Sequence, residues 1–187
     1  MPLRIDRDRD RDRGGVEHRV AIVGHERARL AGLAADNLNE RIRGFKSQLG
    51  DGFTEVAGSP FPCDDDANKS VQLIQDVLAK NPDLSGFFFS GGWPMFAPQA
   101  YARAVKNKAD DIKAGKFAVV SFDVQDSQLQ LLKQGFATAL IGQRPVSMGA
   151  KSIDILNQIS NKQSVPAVVD TGVDVVTQAN VATYVKQ

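Results

Sequence analysis

"SVQLIQDVLAKNPDLSGFFFSGG", residues 70–92, holds a complete helix-to-strand unit. Val71, Ile74 and Leu78 recur at steps of three and four, which places them on one face of a helix. Asp64, Asp65 and Asp66 stand just ahead of it, where carboxylates accept hydrogen bonds from free helix N–H groups. Asn81-Pro82 stops it, because proline drives the residue before it out of the helical region. "GFFFS" then follows with no polar alternation, as a strand covered on both faces does. A helix feeding such a strand points to an α/β protein.

The same unit repeats outward in both directions. "HRVAIVG" (18–24) is a short apolar run ending in glycine, and Leu38, Ile42, Phe45 and Leu49 mark one face of a helix from Asn37. "FTEVAG" (53–58) reads as a second strand. Beyond Phe89 come a helix near Gln99–Lys106, the strand "FAVVSFD" (117–123), a short helix around Gln128–Lys133 and the strand "ATALIGQ" (137–143). A helix from Pro145 to about Ile159 has proline in its first turn, and "AVVDTGVDVV" (167–176) is a last extended stretch before a C-terminal turn. Strands alternating with helices of this length predict a doubly wound parallel sheet. Right-handed crossovers put the loops that follow the strands on one edge, where such sheets take ligands.

Composition narrows the function. The 187 residues suffice for one well-buried domain, and 24% charged with 42% hydrophobic residues is ordinary globular usage. A net charge of +1 gives no electrostatic reason for nucleic acid as a partner. No apolar run approaches the roughly 20 residues of a membrane helix, and the opening "MPLRIDRDRDRDRGG" has no secretory apolar stretch. Residues 1–15 read instead as a disordered tail in which five Arg nearly balance four Asp. Residues 16–187 form the folded unit.

The strand ends decide the chemistry. Pro62–Asp66 follow the second strand, Ser90–Trp93 the third, Phe122–Asp123 the fourth and Gln143 the fifth, while Arg41 lies early in the first helix. Carboxylates accept from hydroxyls, arginine and amide donate to oxygens, an aromatic face covers C–H groups, and glycines allow close approach. The set suits a polyol. Each residue also has a plain structural use: Asp66 and Asp65 can cap the helix, Asp123 the next one, and Trp93 can be packing. The run "DDDANKS" lacks the glycine and distal glutamate of a calcium loop, so no metal is expected. There is no G-x-S-x-G elbow, phosphate loop or dinucleotide fingerprint, so neither an enzyme nor a cofactor is expected. Cys63 has no histidine placed to activate it.

"NLNERIRGFK", "CDDDANKSVQLIQDVLAKNPDLSGFFFSGGWP", "VVSFD", "ALIGQRPVSMG" and "VDTGVDVVTQANV" resemble, in order, the type I periplasmic sugar-binding proteins of ABC transporters, the ribose-binding-like group. The resemblance runs from about Leu30 onward and implies one α/β lobe of a two-lobed, hinged protein. By similarity, Arg41 binds the sugar's ring or hydroxyl oxygens, Asp123 takes two hydroxyls, and Gln143 is the amide at a crossover between lobes. Asp65 stands where the family carries an aromatic, and Gly91 where ribose binders carry a polar amide, with Trp93 supplying the contact.

The resemblance implies a monosaccharide ligand, a membrane permease as partner, a periplasmic location, and a chain truncated before its N-terminal lobe. It also implies that Met148, Ile153, Ile155, Leu156 and Ile159 lack their usual cover, exposing an apolar face that a homodimer would bury. Two alternatives stay open. The effector domain of a LacI-like regulator needs a helix-turn-helix that "RIDRDRDRDRGG" does not make. A flavodoxin-like interaction module needs a phosphate loop, for which "VGHERARLAG" is poor.

Overall fold

The computed structural model describes residues 17–25 and 36–185; the tail expected at 1–15 lies outside them. In chain order the elements are β1 (His18–His25), α1 (Asp36–Gln48), β2 (Phe53–Glu55), β3 (Phe61–Pro62), α2 (Ala67–Lys80) and β4 (Leu84–Phe89). A 3₁₀ turn (Trp93–Phe96), α3 (Pro98–Ala104), α4 (Ala109–Lys113), β5 (Ala118–Phe122) and α5 (Asp126–Gln134) follow. β6 (Ala139–Gln143), α6 (Pro145–Ser160) and β7 (Val173–Thr177) complete the set, with a closing 3₁₀ turn at Val181–Thr183.

One sheet runs through all the strands, in the order β2-β1-β4-β5-β6-β7, with β3 also on β1. The pairs from β2 to β6 are parallel. Alternation along the strands separates two packed faces. Ala21 and Val23 of β1, Phe87 and Phe89 of β4, Val119 and Leu140 join the large core with α2, α3 and α5. Ile22 and Phe88 point the other way, onto Ile42 of α1, with Phe45, Val120 and Phe122 around them. Phe45 stacks on Phe88 at 4.2 Å between ring centroids, a pairing that adds about 1 kcal/mol to plain area burial. Helices on both faces make the sheet doubly wound.

Three details differ from the sequence reading. The second strand is split into β2 and β3, because the ladder is interrupted where Ser59 Oγ accepts the Ile22 N–H at 3.0 Å. In α2 the buried face is Val71, Ile74 and Val77, with Leu78 only partly covered. The last strand, β7, runs antiparallel to β6 rather than parallel. The cause is the path of the chain between them. β6 ends at Gln143, and the chain comes back to the same edge at Val173, which pairs with Gln143. A strand that re-enters at the edge its neighbour has just left must run backward. The return is pinned by the Arg144–Asp174 ion pair at 2.6 Å.

Candidate functional site

The carboxyl ends of β1, β4, β5 and β6 form one rim, and strand order reverses between β1 and β4, the position where open α/β sheets take ligands. Gly24 (φ 108°) closes β1 and Ser90-Gly91-Gly92 close β4. Trp93, half-buried, lies over both ends: a Cβ on Gly24 would sit 2.8 Å from its ring, and one on Gly91 2.3 Å. The glycines are therefore what lets the indole rest on the backbone. Ser90, fully buried, donates its hydroxyl to the Gly24 carbonyl and ties the two ends together.

Arg41, one turn into α1, reaches across this crossing. Its Nη1 donates to the Ser90 carbonyl at 2.8 Å, and its guanidinium carbon lies 4.2 Å from the centroid of the Phe122 ring. Burial lowers its pKa from the ordinary arginine value, while the Asp123 charge opposes that shift. An arginine so placed stays protonated, and its cation is partly stripped of water and aimed at the rim.

Asp123 gathers three strand ends. Its backbone is left-handed (φ 73°), and its N–H donates to Ile141 O of β6 at 2.9 Å. Oδ2 accepts the Gly92 N–H at 3.2 Å and Oδ1 accepts Gln143 Nε2 at 3.0 Å. A non-glycine residue in that conformation costs about 1–2 kcal/mol, so the surrounding bonds hold the carboxylate where it is.

Of the residues singled out from the sequence, Arg41, Gly91, Trp93, Asp123 and Gln143 come together on this rim. The aspartate run is engaged with its own helix instead. Asp66 Oδ1 accepts the Lys69 N–H at 2.8 Å as the N-cap of α2, and Asp64 salt-bridges Lys69 Nζ. Asp65 stands exposed beside them at φ 57°. The sequence reading missed Gln128, fully buried and bonded to the Phe122 carbonyl just ahead of Asp123. Its spacing of three from Gln125 was the available signal, because that is the interval of a capping box.

Among the described residues no three His, Cys, Asp or Glu side chains are grouped to hold a metal ion, and no helix is long and apolar enough to cross a membrane. Cys63 is buried, and that burial, with the Asp65 and Asp64 charges adding to it, pushes its thiol up to about 11. It stays protonated at neutral pH and is a poor nucleophile. A hollow of about 640 Å³ opens at the amino ends of β5 and β6, lined by Ile112, Lys113, Lys133, Thr138 and Gln178 among others. It holds neither a carboxylate nor an aromatic ring, unlike the rim at the carboxyl ends of the strands.

The profile of the periplasmic binding protein domain matches residues 16–164. The chain belongs to the periplasmic binding protein family. The ribose import binding protein of Salmonella typhimurium is 27% identical over 181 residues, covering 87% of this chain and 59% of that protein. Two solved solute-binding proteins of ABC transporters are similar in structure. One, from Burkholderia graminis in complex with D-arabinose, is 32% identical with a TM-score of 0.68, over 91% of this chain and 56% of that one. Another, from Agrobacterium vitis bound with α-D-tagatopyranose, is 29% identical with a TM-score of 0.69, over 88% and 51%. This family member thus spans between half and three-fifths of the length of these relatives.

Proposed function

We propose that this chain binds a monosaccharide at the rim formed by Arg41, Trp93, Asp123 and Gln143, as a solute-binding component of ABC sugar import, without covalent chemistry. One observation carries the reading: a carboxylate held between the Gly92 N–H and the Gln143 amide, with the Arg41 cation beside it. Sugar hydroxyls both donate and accept, so a fixed carboxylate and a fixed cation side by side match neighbouring hydroxyls. The Trp93 ring offers an apolar face for the C–H side of the sugar. The sugars bound by the solved relatives support the class. Gly91, under the indole, contributes by admitting Trp93; Asp66 is taken up in capping α2, which leaves the exposed Asp65 as the further carboxylate offered to a ligand. Kinship with solute-binding proteins supports a periplasmic setting and a membrane permease as the receiving partner. The apolar residues that α6 and β7 expose, Ile153, Leu156, Val173 and Val175, support a homodimer through that face.

Trp93 is the only tryptophan, so intrinsic fluorescence reads this rim directly. Titration with a panel of pentoses and hexoses is expected to give saturable quenching that Asp123→Ala and Arg41→Ala each remove. Quenching that survives both substitutions would sink the site. Sedimentation showing only monomer at high concentration would remove the homodimer.

A further inference from the structure

The Asp123 carboxylate needs something to hold its left-handed backbone, and its own bonds reach only outward, to Gly92, Ile141 and Gln143. Support from within comes from Gln128. This side chain is fully buried, and its amide is engaged on both ends. Nε2 donates to Phe122 O at 2.8 Å and to Ser121 Oγ at 3.3 Å, while Oε1 accepts the Gln125 N–H at 3.0 Å. Those partners lie on either side of Asp123 in sequence, so the amide spans the bend that carries it. The same Nε2 also lies under β4's end, 3.0 Å from where a Gly92 Cβ would be. Gln128 therefore binds the residue that precedes Asp123 and lies beside Gly92, without taking part in the hydrogen bond between them.

We propose that Gln128 is the positioning residue of the rim, setting the Asp123 carboxylate against the Gly92 N–H and toward Arg41. It also positions Phe122, whose carbonyl it binds and whose ring lies under the Arg41 guanidinium. A plain helix-capping role makes a different forecast. Gln128 and Gln125 form a reciprocal capping box at the start of α5, and its loss alone would weaken the helix without moving Gly92, which is on another element. The proposal rests on the sugar-site reading for its functional consequence, but its structural content is measurable without any sugar.

The test is amide hydrogen exchange of the full chain by NMR, comparing wild type with Gln128→Met, which keeps length and volume but removes the amide. Gly92 is expected to exchange about tenfold faster in the variant, the effect of losing one net hydrogen bond, with the β4 interior unchanged. Asp123→Ala should give the same acceleration at Gly92, and combining the two should add nothing further. An unchanged Gly92 rate in folded Gln128→Met overturns the proposal. If that variant does not fold, Gln128→Asn, which keeps the amide one methylene short of Phe122 O, takes its place with the same expected readout. Loss of fold in both overturns positioning in favour of a purely structural role. Titration with D-arabinose separates the two readings: if wild type and a wider sugar panel give no quenching, the sugar site fails while the exchange result still stands. Where wild type does bind, Gln128→Met is expected to weaken binding about tenfold.

Discussion

Helices α5 and α6 flank the same strand, β6, and are treated in opposite ways. α5 has 9 residues and buries Gln128, Leu129, Leu131 and Leu132. α6 has 16 residues and buries none, leaving Ile153, Leu156 and Ile159 at 67%, 60% and 53% exposure. Both carry apolar residues at helical spacing. The difference teaches that periodicity announces an apolar face, whereas burial requires a partner surface that the chain path must bring to it. α5 crosses back over the sheet between two parallel strands. α6 is an excursion between two antiparallel ones, so it has no sheet face to cross.

The comparison can be broken most forcefully at Leu132. Leu132→Ala is expected to cost about 2–5 kcal/mol, read as a lower midpoint in urea unfolding; a smaller loss would mean α5 is less tightly seated than described. Thiol chemistry sharpens the same contrast. At pH 8, Cys63 is expected to react with a thiol reagent about a few hundredfold more slowly than a cysteine placed on α6 by Leu156→Cys, from thiolate fraction alone. Because the folded thiol's pKa lies above its ordinary value, at about 11, it favours the folded state below the ordinary value. That contribution is lost as pH rises from about 9 toward 11, so wild type should lose more stability there than Cys63→Ala, which keeps only the like effect of the buried Tyr101 hydroxyl. Equal labelling of the two cysteines would break the comparison.

The helix ends offer a smaller lever. α5 stops at Gly135 (φ 85°), whereas Lys162 (φ 57°) holds the left-handed position just past α6. Gly135→Ala should destabilise by about 1–2 kcal/mol and Lys162→Gly should stabilise by up to about 1 kcal/mol, by thermal unfolding. Smallest of all is Ile153→Ala with Leu156→Ala. At concentrations where the chain is monomeric, the pair is expected to stay within about 0.5 kcal/mol of wild type. A loss approaching that at Leu132 would show that α6 is covered in solution after all.

These contrasts mark how far the sequence could be read. The sheet was legible because "HRVAIVG", "GFFFS" and "AVVSF" are apolar runs between turn signals, and such runs in an alternating pattern have few ways to pack. The direction of β7 was not, since nothing in "VDVVT" encodes whether its neighbour runs with it or against it; the return of the chain to the edge at Val173, opposite Gln143, decides that. α4 was missed because its five residues bury only Ile112, too little for a period to show. On the rim, Arg41, Trp93, Asp123 and Gln143 were legible as polar or aromatic residues at strand ends. The aspartate run carried the same signal, and Asp66 is nonetheless bonded to Lys69 N, because a helix start and a ligand edge attract the same side chains. Gln128 offered only its interval of three from Gln125, because a buried amide otherwise looks in sequence like any glutamine on a helix.

The reversal of β7 has a practical use. By running back along β6, it delivers Thr177 opposite Ala139, at the end of the sheet away from Trp93 and Asp123. The closing turn, with exposed Thr183, lies beyond that point. A dye or surface tether attached through Thr183→Cys would thus leave the rim open to solution, while the shielded native thiol at Cys63 would not compete for the label. The fold comes with its own handle for a sensor.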